Sequence, residues 1–136
     1  MKAGSCGVLV FLAACAAPPP QEPSPERAVR RLASEDYAGA VADAEALLAR
    51  RPFDAEMHHV KGMALHGMER YSEAVGPLGR AAEQKGDDAA WWGDLALAAH
   101  RAGQRERAVQ AAARAVELEP GTAYYRDLKS EIDRRR

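Results

Sequence analysis

Residues 89–122 read AAWWGDLALAAHRAGQRERAVQAAARAVELEPGT. Trp92, Leu95, Ala96 and Ala99 fall at i, i+3, i+4 and i+7, which makes one apolar stripe along a first helix. Ala108, Ala112 and Ala115 form a matching stripe on a second helix after Gly103, a residue suited to ending the first. Small residues at Ala96 and Ala108 let two helix axes approach closely, while Trp92 and Leu95 fill the space beside that contact. Pro120-Gly121 stops the second helix, and Thr122 stands where it is expected to cap the next. The stretch therefore predicts a helical hairpin followed by another helix.

The same landmarks recur upstream. Small residues before valine stand at Ala40, Ala74 and Ala108, a period of 34. Tyr37 matches Tyr71 in this register, Ala28 matches Gly62 and Ala96, Leu47 matches Ala81 and Ala115, and Pro52 matches Gly86 and Pro120. Three units follow, 21–54, 55–88 and 89–122. In the second, Asp54 is a candidate N-cap, Gly62 takes the close-approach position, and Ala74, Leu78 and Ala81 line the second helix. Gly76, Pro77 and Gly79 interrupt that helix, and an interior proline costs about 3 kcal/mol, so a bend or a weak first turn is expected there. The first unit has Ser24 at the tryptophan-like position, and its first helix is expected to start at Pro25-Glu26. Residues 123–134 predict one more helix, partly apolar through Tyr124, Tyr125, Leu128 and Ile132, covering the open end of the stack.

The period and the order of landmarks resemble the tetratricopeptide repeat. The resemblance implies an all-α fold, a short right-handed α-solenoid of three helical hairpins plus the C-terminal capping helix. The repeat domain is then 26–136, preceded by two segments of a different kind.

Residues 1–14 carry one cation, Lys2, and an apolar run from Val8 to Ala14, the pattern of a secretory leader. The run is far shorter than the ~20 residues of a bilayer-spanning helix. Leu12-Ala13-Ala14-Cys15 resembles the bacterial lipobox, which implies lipidation of Cys15 and its release as the first residue of the mature chain. An ordinary leader cut around Ala14-Cys15-Ala16 is the alternative, leaving a soluble secreted protein. Residues 16–25 hold five of the eight prolines and read as a tether, extending roughly 30 Å at about 3.1 Å per residue. By resemblance to Gram-negative lipoproteins, Ala16 after the cysteine implies an outer-membrane anchor facing the periplasm.

Nineteen Lys and Arg against 20 Asp and Glu give a formal charge of -1, and 6% of residues are aromatic, so a basic nucleic-acid surface is excluded. The two cysteines, Cys6 and Cys15, lie at the start, which leaves no disulfide framework or cysteine-based metal site in the body. No phosphate loop, Gly-x-Ser-x-Gly elbow or His-Glu-x-x-His motif occurs, and neither catalytic residues nor a cofactor is expected. Of the histidines, His59 and His66 stand two helical turns apart, roughly 10 Å, too far to share one ion without outside ligands. A histidine-based metal carrier or hydrolase is kept only as an alternative, and no metal site is assigned.

In the resembled family the first helix of each unit lines a concave surface through its second, fifth, ninth, twelfth and thirteenth positions. Here these are Glu56, His59, Met63, His66 and Gly67, then Ala90, Gly93, Leu97, His100 and Arg101. Glu56, His59, Met63, His66, Leu97, His100 and Arg101 are therefore the candidate groove for a peptide or protein segment; otherwise they are solvated helix faces. Chaperone-binding members carry a lysine and asparagine clamp where this chain has His59, Met63, Gly93 and Leu97, so that clamp is absent. Trp91 reads as packing against the preceding hairpin or, alternatively, as an exposed anchor. The expected function is a membrane-anchored interaction scaffold or adaptor of the cell envelope, pilotin-like, with docking through Tyr124 and Tyr125 at the solenoid end as the runner-up.

Overall fold

The computed structural model describes Gly4 and residues 17–135. The expected lipidation at Cys15, and all of the expected leader but Gly4, fall outside the described residues. Among these, seven α-helices and no strand occur: α1 Pro25–Ala33, α2 Tyr37–Arg50, α3 Ala55–Gly67, α4 Tyr71–Lys85, α5 Ala89–Arg101, α6 Arg105–Leu118 and α7 Ala123–Arg134. The first six pair as three hairpins, each hairpin packs on the next, and α7 closes the stack against α5 and α6. The fold is an all-α solenoid of three hairpins and a capping helix.

Each hairpin turns through a left-handed residue at one register: Glu35 at φ 63°, Glu69 at φ 60° and Gly103 at φ 76°. Behind each, a backbone N–H reaches five residues back, Asp36 to Arg31, Arg70 to Leu65 and Gln104 to Ala99, all at 2.9 Å. Two units thus hold a glutamate in a conformation that suits glycine better. Helix starts are fixed by Ser24, Asp36, Asp54 and Asp88, whose side chains accept first-turn N–H groups. Thr122 does stand at the N-cap of α7, but its hydroxyl donates to Glu119 Oε2 at 2.9 Å, so no side-chain cap forms there.

The core is built from small residues at helix contacts and sparse bulky ones between them. Leu65, Val75, Leu78, Leu95, Leu128 and Ile132 pack with alanines of α4–α6 into one cluster. Ala28, Ala40, Ala44, Met57, Val60 and Ala64 make a second cluster under the first hairpin. A Cβ at Gly62 would stand 2.5 Å from Leu78 Cγ, so α3 and α4 touch where only glycine fits. Trp92 donates its indole N–H to the Gly86 carbonyl at 3.1 Å, joining α5 to the loop before it.

Helix α1 starts at Pro25 and buries only Ala28 fully, with Leu32 packed beside it against the core. An ion pair adds to this attachment. Arg27 donates from Nε and Nη2 to the Asp43 carboxylate at 2.7 and 2.5 Å, and Asp43 is 3% exposed. Helix α4, expected to bend or weaken at its proline, runs unbroken from Tyr71 to Lys85 with Pro77 buried inside it. No helix of the described residues is long and apolar enough to cross a membrane.

Candidate functional site

The first helices α1, α3 and α5 lie side by side, with α3 packed against both others. Their shared face carries the candidate groove. At the ninth register position stand Val29, Met63 and Leu97, one apolar side chain from each helix. Val29 is 40% exposed, while Met63 and Leu97 are half-buried against the core. Val29 holds in the first unit the position that Met63 and Leu97 hold in the second and third, so register alone places it on this face. Glu56 is exposed and shares a mostly apolar cavity of about 390 Å³ with Pro25, Glu26, Val29 and Arg30 of α1.

His59 is more tightly held than a free groove histidine. Its Nε2 lies 2.9 Å from Asp94 Oδ2, and its ring stacks on Trp91 with centroids 4.5 Å apart and planes at 7°. Lys85 Nζ stands 4.4 Å from the Trp91 ring centre and also pairs with Asp88 at 2.9 Å. Trp91 therefore packs against the preceding hairpin, between groups of α3 and the end of α4. Asp94 stands at the sixth position of its unit, outside the five face positions, and the same register holds Val60 in the previous unit, so only the stacking of α3 on α5 brings it to His59.

His66, Tyr71 and Arg101 form the other end of the face. The Tyr71 ring meets His66 edge-on at 5.1 Å and lies 5.4 Å from the Arg101 guanidinium carbon, while the Tyr71 hydroxyl oxygen accepts a hydrogen bond from Arg101 Nη1 at 3.1 Å. His66 Nε2 is buried with no hydrogen-bond partner among the described residues. Burial, and next the Arg101 charge, hold its imidazole below the ordinary value of 6.5, with Asp94 opposing them. The folded chain thus binds the His66 proton less readily than the unfolded one. Stability is then full above about pH 6.5 and falls as pH drops below it. Thermal melts at pH 7.5 and 5.5 should show this loss in the wild type and a flatter dependence in His66→Leu. Equal slopes in the two proteins would contradict it.

His100 is half-buried on α5 in the same register as His66. No group of three or more His, Cys, Asp or Glu side chains able to hold a metal occurs among the described residues. Gly67 and Gly93 are filled positions: a Cβ on Gly67 would meet the Tyr37 ring at 2.5 Å, and one on Gly93 the Tyr125 ring at 2.9 Å. Tyr125 stands 34 residues after Trp91, so α7 repeats over Gly93 the seat that Trp91 takes over His59. Tyr125 is consequently only 8% exposed and is used by the fold, which removes it from the end-docking surface; Tyr124 remains 55% exposed.

No curated protein matches the sequence. Among solved structures, the chain is similar to MamA RS-1, an ArsTM double mutant, with a TM-score of 0.75 and 24% identity over 83% of this chain and 66% of that one. It spans slightly under two thirds of that protein's structure. It is also similar to the second TPR domain of human RPAP3, solved with the HSP70 peptide SGPTIEEVD, with a TM-score of 0.74 and 20% identity over 81% of this chain and 92% of that one. A third similar structure is the TPR2B-domain:pHsp70-complex of yeast Sti1, with a TM-score of 0.70 and 19% identity over 82% of this chain and 98% of that one. The tetratricopeptide repeat family profile matches residues 65–132, half of the sequence, and with the three stacked hairpins this makes the chain a member of the tetratricopeptide repeat family.

Proposed function

We propose that this protein is an interaction scaffold of the bacterial cell envelope, held to lipid through an acylated Cys15, whose α1–α3–α5 face binds a peptide or protein segment. The observation that carries the binding reading is the row Val29, Met63 and Leu97. One apolar side chain from each first helix keeps surface open at the same register, beside the polar groups Glu56, His59, His100 and Arg101. Fold relatives support the class of ligand, since the RPAP3 and Sti1 domains are complexed with HSP70-derived partners. The ligand itself differs from theirs, because the positions of the resembled carboxylate clamp hold His59, Met63, Gly93 and Leu97. The apolar row favours a segment with spaced hydrophobic side chains.

Crosslinking in cells followed by recovery of the anchored protein tests the face. Val29→Lys, chosen because Val29 is exposed, and the pair Met63→Ala with Leu97→Ala should each lower partner recovery about tenfold, while Tyr124→Ala leaves it unchanged. Loss only with Tyr124→Ala would move the interaction to the solenoid end. For the anchor, Cys15→Ser should shift the protein from the membrane to the soluble fraction and remove the lipid mass. A wild-type protein that is soluble and unmodified would overturn the anchoring.

A further inference from the structure

A roomy cavity lies away from the α1–α3–α5 face. It measures about 600 Å³ and is lined by Pro52, Phe53, His58, Arg80, Glu83 and Gln84. A second cavity of about 360 Å³ shares Pro52, His58 and Arg80 with it, and a third of about 450 Å³ shares Glu45, Lys61, Pro77 and Arg80 with the second. Together they make one cleft between α2 and α4, floored by α3 through His58, Lys61 and Leu65. It follows α4 for about 20 Å, room for roughly six residues of extended chain.

Three features set this cleft apart from ordinary helix packing. First, α4 keeps it open: Gly76 is exposed, and a Cβ there would meet nothing within 4 Å. The glycine is therefore not required by any neighbour, and its helix cost goes uncompensated by packing. Next to it Pro77 lacks the N–H that would bond the Glu73 carbonyl. The same register in the following unit holds Gln110 and Ala111. Second, Arg80 lines all three cavities, and its side chain makes no ion pair or hydrogen bond among the described residues. The other cleft charges are matched: Lys61 with Glu45 at 2.9 Å, Arg70 with Glu73 at 2.5 Å, and Glu83 with Arg107 at 3.8 Å. Arg114, the counterpart of Arg80 one unit later, is paired with Glu117 at 3.1 Å. Third, Phe53 stands 85% exposed at the cleft mouth. Its loop is pinned from below by His58, whose Nε2 lies 2.7 Å from the Pro52 carbonyl, while the other ring nitrogen is buried without a partner.

We infer that this cleft is a second docking site, for an extended peptide segment of a partner protein that carries a carboxylate flanked by apolar side chains. Among the described residues Arg80 is the one unmatched charge in the cleft, and it takes the carboxylate in a charge-assisted, two-pronged hydrogen bond. Phe53 and Pro52 take an apolar side chain on one side, Leu48 and Pro77 on the other. Gly76 and Pro77 leave the width that the peptide backbone needs.

The test uses the full chain carrying Cys15→Ser as bait for a displayed library of random 12-residue peptides, with affinities of the recovered peptides measured by fluorescence anisotropy. Recovered peptides should be enriched in Asp or Glu beside Leu, Phe or Trp. Arg80→Ala should weaken them tenfold or more, and Gly76→Leu should do the same without lowering the melting temperature, because it fills space and not a contact. Val29→Lys should leave them unaffected. Peptides insensitive to Arg80→Ala but lost with Val29→Lys would overturn this site while sustaining the α1–α3–α5 face. Recovery of no peptide, or self-association of the chain abolished by Arg80→Ala, would also overturn it.

Discussion

Gly62→Val is expected to lower the stability of the folded chain by about 3 kcal/mol and its melting temperature on the order of 10–20 °C. A Cβ at Gly62 would lie 2.5 Å from Leu78 Cγ, 2.7 Å from its Cδ2 and 3.1 Å from its backbone nitrogen. A rotamer change of Leu78 could move the first two atoms, yet Leu78 is 0% exposed and has no free volume to move into. The backbone nitrogen moves only with α4 itself. The two helices would have to separate, opening the contact on which the second hairpin depends, and valine adds a β-branched side chain to a helix interior. Gly76→Ala is the internal control: with nothing within 4 Å of its Cβ, it should stabilise the same hairpin by up to about 1 kcal/mol. Thermal melts of the two variants decide the matter. A Gly62→Val protein melting within a few degrees of wild type would show that α3 and α4 do not rely on that close approach.

Asp43→Ala should cost about 3 kcal/mol, concentrated in α1 and α2. Asp43 accepts both Arg27 bonds and lies 3.5 Å from Arg31, so its removal leaves two arginines without their shared counter-ion at the base of α1. Because a solenoid transmits stability mainly between neighbours, the loss should stay at that end. Amide exchange in α1 and α2 should accelerate at least tenfold while α5–α7 keep their protection; uniform acceleration along the chain would contradict a local role. The pair also has its own pH window. The hydrogen bond from Arg27, then the charges of Arg27 and Arg31, hold the Asp43 carboxyl below its usual 3.8, so its contribution is complete above about pH 3.8 and lost as pH falls through the lower folded value. His66 acts earlier on the acid side, below 6.5. Asp43→Ala should therefore flatten the stability curve only at the acid extreme, and His66→Leu should flatten it as pH drops below about 6.5.

The hairpins could be read from the chain because their signals are local. A stripe at i, i+3, i+4 and i+7 needs only helical geometry, and a period of 34 repeats it with small residues where axes cross. Asp54 as a cap, Gly103 as a stop and the late start of α1 at Pro25 likewise depend on residues within one turn. Thr122 takes the N-cap position of α7, but its hydroxyl bonds Glu119 and not the first turn, a choice between neighbours that spacing does not reveal. The face was legible as a set of register positions, but the use of each position was not. Tyr125 covers Gly93, Trp91 stacks on His59, and Asp94 bridges to the same histidine, all through neighbours at least 30 residues apart.

Sequence alone thus determined the helical class, the number of hairpins and the small residues between them, since backbone propensity and periodicity act over a few residues. Tertiary structure decided which charges are spent and which are free. Arg27 is bound up in holding α1, Arg114 is matched within its own helix, and Arg80, in the same register as Arg114, stands unpaired in a cleft. An arginine has the same side chain in all three places, and only the distance to a carboxylate distinguishes a structural cation from one available to a partner. Stacking sets that distance for Arg27, which meets Asp43 of α2, and for Arg80, whose neighbour Glu83 pairs with Arg107 of the next hairpin.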